Sequence, residues 1–131
     1  MATSSAAGTP VLSSIMYCHR SESKHIAAGF YWKDFCHHPR VCALYDRKAE
    51  VYEVTVEEGP DEPDSYWGWW SNGESPRGAP PRFNHVYYHR DLVEMCFPYG
   101  TAAEEKRGRG VLVPVRLIRP KVVAPAGDGA G

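Results

Sequence analysis

Cysteine and histidine, the side chains that most readily serve as nucleophiles, proton carriers and zinc ligands, crowd the first third of the chain. They occur as Cys18-His19, Cys36-His37-His38 and Cys42. The residue types suit zinc, but the spacing does not. There is no Cys-x-x-Cys or His-x-x-x-His pair among them, and five residues separate Cys36 from Cys42. A catalytic Cys–His pair assembles in space rather than in sequence, so nothing local marks one. The expectation is buried, reduced thiols packed as small hydrophobes, with no metal and no cofactor. The sequence leaves open whether Cys18, Cys36, His37, His38 and Cys42 meet.

A second group is His85, Tyr87 and His89, followed by Arg90 and Asp91. On a strand the first three share a face, which suits proton transfer or a polar binding surface. Glu94 follows among apolar neighbours, where burial would raise its pKa. An enzyme using His85, His89, Tyr99 and a carboxylate is therefore one reading, although no catalytic motif supports it.

The third group is Pro98-Tyr99-Gly100-Thr101, leading into a short helix, with Lys106, Arg107 and Arg109 beyond. Gly100 and Thr101 would present helix N–H groups to an anion, and Arg107 and Arg109 would add guanidinium contacts. Against this, Glu104 and Glu105 occupy the first turn and already answer the helix dipole. No Gly-x-x-x-x-Gly-Lys or Gly-x-Gly-x-x-Gly loop is present.

The densest feature is Tyr66-Trp67-Gly68-Trp69-Trp70, set between the turn-rich stretches 57–65 and 71–82. On a strand Trp67 and Trp69 share one face and Tyr66 and Trp70 the other. On one reading, one face fills the core and the other covers a sheet edge or packs beneath the following loop. On the functional reading, Tyr66, Trp67, Trp69 and Trp70 form a recognition surface, because aromatics give large contact area at low entropic cost. An acidic stretch precedes it: Glu50, Glu53, Glu57, Glu58, Asp61, Glu62 and Asp64, with no base among them. A basic one comes late: Lys106, Arg107, Arg109, Arg116, Arg119 and Lys121, with no acid. The two are expected to lie side by side and neutralise each other, in keeping with a formal net charge of −1 that argues against a dominant, non-specific nucleic-acid binder.

The elements that must position these groups follow from patterning. With 43% hydrophobic and 12% aromatic residues in 131, the chain can build one core and has no length for a second domain. Residues 1–10 and 122–131 read as disordered tails around a single domain at 11–121. Leu12–His19 reads as a strand and Ser21–Gly29 as a short helix ended by glycine. Arg40–Asp46 and Glu50–Glu57 read as a hairpin through Asp46-Arg47-Lys48-Ala49, with Val54 and Val56 facing the core. Phe83–Tyr88 and Leu92–Phe97 read as strands, the latter with Val93, Met95 and Phe97 on one face. Thr101 and Glu104 fit a capping box, and Gly108 ends that helix. Val111–Ile118 is apolar on both faces, as in a central strand, and Pro114 within it calls for a bulge or an edge.

The fold expected is α+β and mainly β, a curved antiparallel sheet or small partly open β-barrel with one or two short helices. The chain start has no signal-like pattern, and no stretch approaches the roughly 18 apolar residues of a membrane span. A cytoplasmic protein without membrane association is expected. The function expected is non-catalytic binding of a protein partner through the aromatic surface. The alternatives are a small barrel for RNA or single-stranded nucleic acid, and the enzyme above.

Overall fold

A computed structural model describes residues 11–26, 29–62, 65–73 and 78–125. Its centre is one six-stranded antiparallel sheet, nearly closed into a barrel, with three short helices among the described residues. The strands are β1 (Ser13–Glu22), β2 (Phe30–Cys36), β3 (Val51–Glu58), β4 (Tyr66–Ser71), β5 (Arg82–Tyr87) and β6 (Gly110–Ala124). Their order is β2-β1-β3-β6-β4-β5. The helices are α1 (Pro39–Tyr45), α2 (Arg90–Glu94) and α3 (Thr101–Lys106).

The barrel is filled by Met16 and Cys18 of β1, Val54 and Val56 of β3, Phe83 and Val86 of β5, and Val115 of β6. Val54 and Val56 alternate inward as the period-2 pattern requires. Curvature comes from bulges. Opposite Tyr17 to His19, β2 carries an extra residue, and Asp34 there has a left-handed φ of 57°. Opposite Glu53 to Thr55, β6 does the same, with Arg119 at φ 54°. Pro114 lies inside central β6 without breaking a rung. Its carbonyl accepts from Gly59 N–H at 3.0 Å, one step past the last β3 pair, Glu58 with Val115. Its ring nitrogen therefore faces the side on which β3 has ended.

Several sequence expectations are corrected. Residues 40–46 are not a strand but lie largely in α1, with Pro39 in the first turn and the His38 ring accepting from Arg40 N–H at 3.0 Å. The hairpin is instead β1–β2, and β3 pairs with β1 and β6. The expected helix at Ser21–Gly29 is replaced at its start by the end of β1 and then by bends. Its residues 27–28 lie outside the described set. Gly29 still needs its glycine, at φ 80°. Leu92–Phe97 is not a strand, because α2 reaches Glu94 and turns follow. Val93 is buried while Met95 is 78% exposed. Val93 and Phe97 stand four apart, a spacing that a helical turn and an alternating strand both satisfy. The helix at 101–106 exists, but its cap is Gly100 and not a Thr101–Glu104 box. At the far end β6 continues to Ala124, past the boundary expected at 121. Residues 1–10 and 126–131 lie outside the described set.

Candidate functional site

Alternation along β4 divides the aromatic segment between two cores. Tyr66 and Trp70 pack toward the barrel interior, Trp70 edge-on to Phe83 with ring centroids 5.0 Å apart. Gly68 lies between them because Phe83 crosses there: a Cβ on Gly68 would sit 3.0 Å from the Phe83 ring. The Tyr66 hydroxyl accepts from Trp32 N–H at 2.8 Å, and burial pushes its pKa up to about 12. On the outer face Trp69 packs with Val93 and Leu112 beneath the Phe97 ring, at 4.8 Å between centroids. Close packing extends to Gly110, where a Cβ would meet the Trp69 ring at 2.6 Å.

Of the four residues expected to form the recognition surface, Trp69 is only 3% exposed, whereas Tyr66, Trp67 and Trp70 are half-buried. Trp67 already carries a cation. The Arg90 guanidinium lies 5.3 Å from its ring centroid, and Arg90 also pairs with Glu94 at 3.8 Å.

The acidic stretch splits into neutralised and open parts. Ladder partners on β3 and β6 form ion pairs, Glu57 with Arg116 at 3.1 Å and Glu53 with Lys121 at 3.7 Å. Glu58 accepts from Leu12 N–H at 3.4 Å. Among the described residues, Asp61 and Glu62 form no ion pair. Glu62 lines an opening of about 310 Å³ beside Trp32 and Tyr66, and Asp61 and Glu62 line another of about 270 Å³ beside Trp67 and Arg90. The exposed parts of Tyr66 and Trp67 thus border carboxylates that form no ion pair among the described residues, next to Arg116 and Arg90, which pair with Glu57 and Glu94. Asp64, also in the acidic stretch, lies outside the described residues.

The start of α3, expected to draw an anion to Gly100 and Thr101, receives the chain's own carboxylate. Glu94 accepts from Thr101 N–H at 2.9 Å and from the Thr101 hydroxyl at 2.8 Å. The expected rise of the Glu94 pKa is reversed: the Thr101 N–H bond, above all, holds it below the ordinary carboxylate value. Arg109 is paired with Glu104 at 3.4 Å, and Arg107 is exposed. Both lie at the end of β4 away from Trp67, because Asn72 N–H reaches the Arg109 carbonyl while Trp67 opposes Pro114. No continuous face therefore joins Trp67 to these arginines along β4.

The cysteines do meet. Cys18, Cys36 and Cys42 come together from β1, β2 and α1, and the Cys36 and Cys42 thiols both donate to the Asp34 carbonyl, at 3.3 and 3.6 Å. Burial pushes Cys42 up to about 12 and raises Cys18 and Cys36 as well, so all three are neutral thiols near pH 7. The buried His19 ring places its nitrogens 3.1 Å from the Glu50 carbonyl and 2.9 Å from that of Cys42, tying α1 to the start of β3. His37 turns away to donate to the Phe83 carbonyl at 2.7 Å, and His38 caps α1. Among the described residues no His, Cys, Asp or Glu group is arranged to hold a metal ion.

The second histidine group does not assemble. His85 packs edge-on to Phe97 at 5.2 Å and His89 against Tyr88 at 4.4 Å, while Tyr99 is 77% exposed. None of the hydrogen bonds or ion pairs of histidines among the described residues is to a carboxylate. Sequence reasoning missed the Arg90–Trp67 stack and the Glu94 clamp, because both depend on α2 being a helix. No helix among the described residues is long and apolar enough to cross a membrane. The chain matches no protein-family model, and no curated protein or solved structure matches it.

Proposed function

We propose that this chain is a non-catalytic binding module that takes a basic protein segment at the Tyr66–Trp67 end of β4. One observation carries the reading: the exposed parts of Tyr66 and Trp67 border Asp61 and Glu62, which form no ion pair among the described residues, while Arg116 and Arg90 in the same openings are paired with Glu57 and Glu94. A Lys or Arg from a partner would gain a carboxylate and an aromatic face at one place. The Arg90 stack is an internal precedent for a guanidinium over Trp67. The same carboxylates repel phosphate, which sets the nucleic-acid reading behind this one.

The test is calorimetry with synthetic peptides of equal length, one rich in Lys and Arg, one in Glu and one neutral. The basic peptide is expected to bind, and Trp67→Ala and Glu62→Gln are each expected to weaken it about tenfold or more while leaving the melting curve near wild type. Equal binding of all three peptides, or full affinity in both variants, would refute the proposal.

A further inference from the structure

Strands β2 and β5 form the open edges of the sheet and face each other across a seam. At one point the seam is closed by His37, the residue after β2, which donates to the Phe83 carbonyl at 2.7 Å, while Phe83 N–H reaches β1 and donates to the Ser14 hydroxyl at 3.2 Å. Along the rest it opens into a cleft of about 550 Å³, larger than either opening beside β4 and sharing no lining residue with them.

The lining has an unusual division of labour. Phe35, Tyr45 and Tyr87 supply flat apolar walls, and Arg82, Asn84 and His85 supply polar groups along β5. Among the described residues the Arg82 guanidinium and the Asn84 amide have no hydrogen bond or ion pair, and the recorded contact of His85 is through its ring to Phe97. Burial holds His37 and His85 below the ordinary imidazole value, so near pH 7 each is neutral, with one donor and one acceptor nitrogen. The Asp34 carboxylate is offset by Lys33 at 3.8 Å. What remains uncommitted is an amide donor–acceptor pair, an imidazole and one guanidinium between aromatic walls.

That set is complementary to a heteroaromatic ring with a hydrogen-bonding edge and one anionic group. A neutral sugar can lay its C–H face on the aromatic walls but would leave the Arg82 guanidinium without an anion. A bare anion would leave the amide unused. We propose that the seam cleft binds a nucleoside monophosphate group, with the base against the aromatic walls, its edge on Asn84 and His85, and the phosphate on Arg82. The same group occurs as a free mononucleotide and as the 5′-terminal residue of an RNA strand.

The experiment is calorimetry and two-dimensional NMR titration of the full chain, in phosphate-free buffer. The probes are AMP, GMP, CMP and UMP, then adenosine, ribose 5-phosphate, inorganic phosphate and a 5′-phosphorylated tetranucleotide. At least one mononucleotide should saturate, about tenfold or more tighter than ribose 5-phosphate. Its shifts should fall on Asn84, His85 and Tyr87. Asn84→Leu and Arg82→Gln should each weaken it about tenfold with unchanged melting, since neither side chain holds the fold. Tighter binding of the tetranucleotide assigns the strand end as the source, and equal or weaker binding assigns the free nucleotide. The proposal is overturned if no mononucleotide saturates, if ribose 5-phosphate binds as well, or if both variants bind like wild type. Because the cleft shares no lining residue with the Tyr66–Trp67 surface, Trp67→Ala should leave nucleotide binding intact, so failure of one proposal is distinguishable from failure of the other.

Discussion

Single residues in β4 have opposite fates because strand alternation sends neighbours to different cores. Trp69 is sealed beneath Phe97 and against Val93, whereas Trp67 keeps part of its ring at the surface under Arg90. Trp69→Ala is therefore expected to cost about 3–5 kcal/mol by leaving a cavity. Urea denaturation would measure it, and a loss below about 1 kcal/mol would show that the Phe97 lid collapses onto the vacated space. The alternation, and the division of the segment between two environments, were legible from the spacing of Trp67 and Trp69. Which tryptophan would be covered was not. The cover comes from residues 93–97, whose spacing of four fits helix and strand alike. The cysteines show the same limit: their residue types and burial could be read directly, but their meeting depends on the bulge at Asp34 that turns its carbonyl toward two thiols.

At the scale of elements, short helices were the hardest to read and strands the easiest. β3 and β5 carry clear periodicity or aromatic and β-branched content, and they appear within a residue or so of their expected limits. α1 and α2 are a turn or two long, too short for a helical period to outweigh chance alternation. The local signal for α1 was Pro39 behind a polar capping residue, His38. α2 and α3 are joined by Glu94, which ends the first and caps the second. Glu94→Ala should remove both bonds to Thr101 and destabilise the chain by about 1–2 kcal/mol. Amide exchange at residues 101–106 should accelerate in that variant. Unchanged exchange there would show that α3 is held by its packing on β6 alone.

For the whole molecule, closure and charge follow from the ladder. Pairing β3 with β6 brings the acidic and basic stretches together, as the sequence anticipated, and leaves Asp61 and Glu62 beyond the end of the pairing. Strand order was beyond the sequence, since it rests on which edges meet. Acid should weaken the fold in two stages. Burial, the largest cause in each case, holds His37 and His85 below 6.5, so the unfolded chain takes up protons first and stability falls as pH drops below that value. Glu94, held below 4.5 chiefly by Thr101, contributes stability that is full above 4.5 and lost as pH falls through its lower folded value. In alkali the order reverses: Tyr66 and Cys42, both pushed up to about 12, favour the fold until pH rises past their ordinary values of 10.0 and 9.0. Denaturation midpoints across pH would check this, and a flat profile between pH 7 and 5 would contradict the histidine stage. The central claim, a cation-accepting aromatic surface at the start of β4, is tested most directly by the indole N–H resonances of the tryptophans during titration with the Lys- and Arg-rich peptide. The Trp67 signal should move and saturate while that of Trp69 stays fixed; an unmoved Trp67, or the same movement with the Glu-rich peptide, would contradict it.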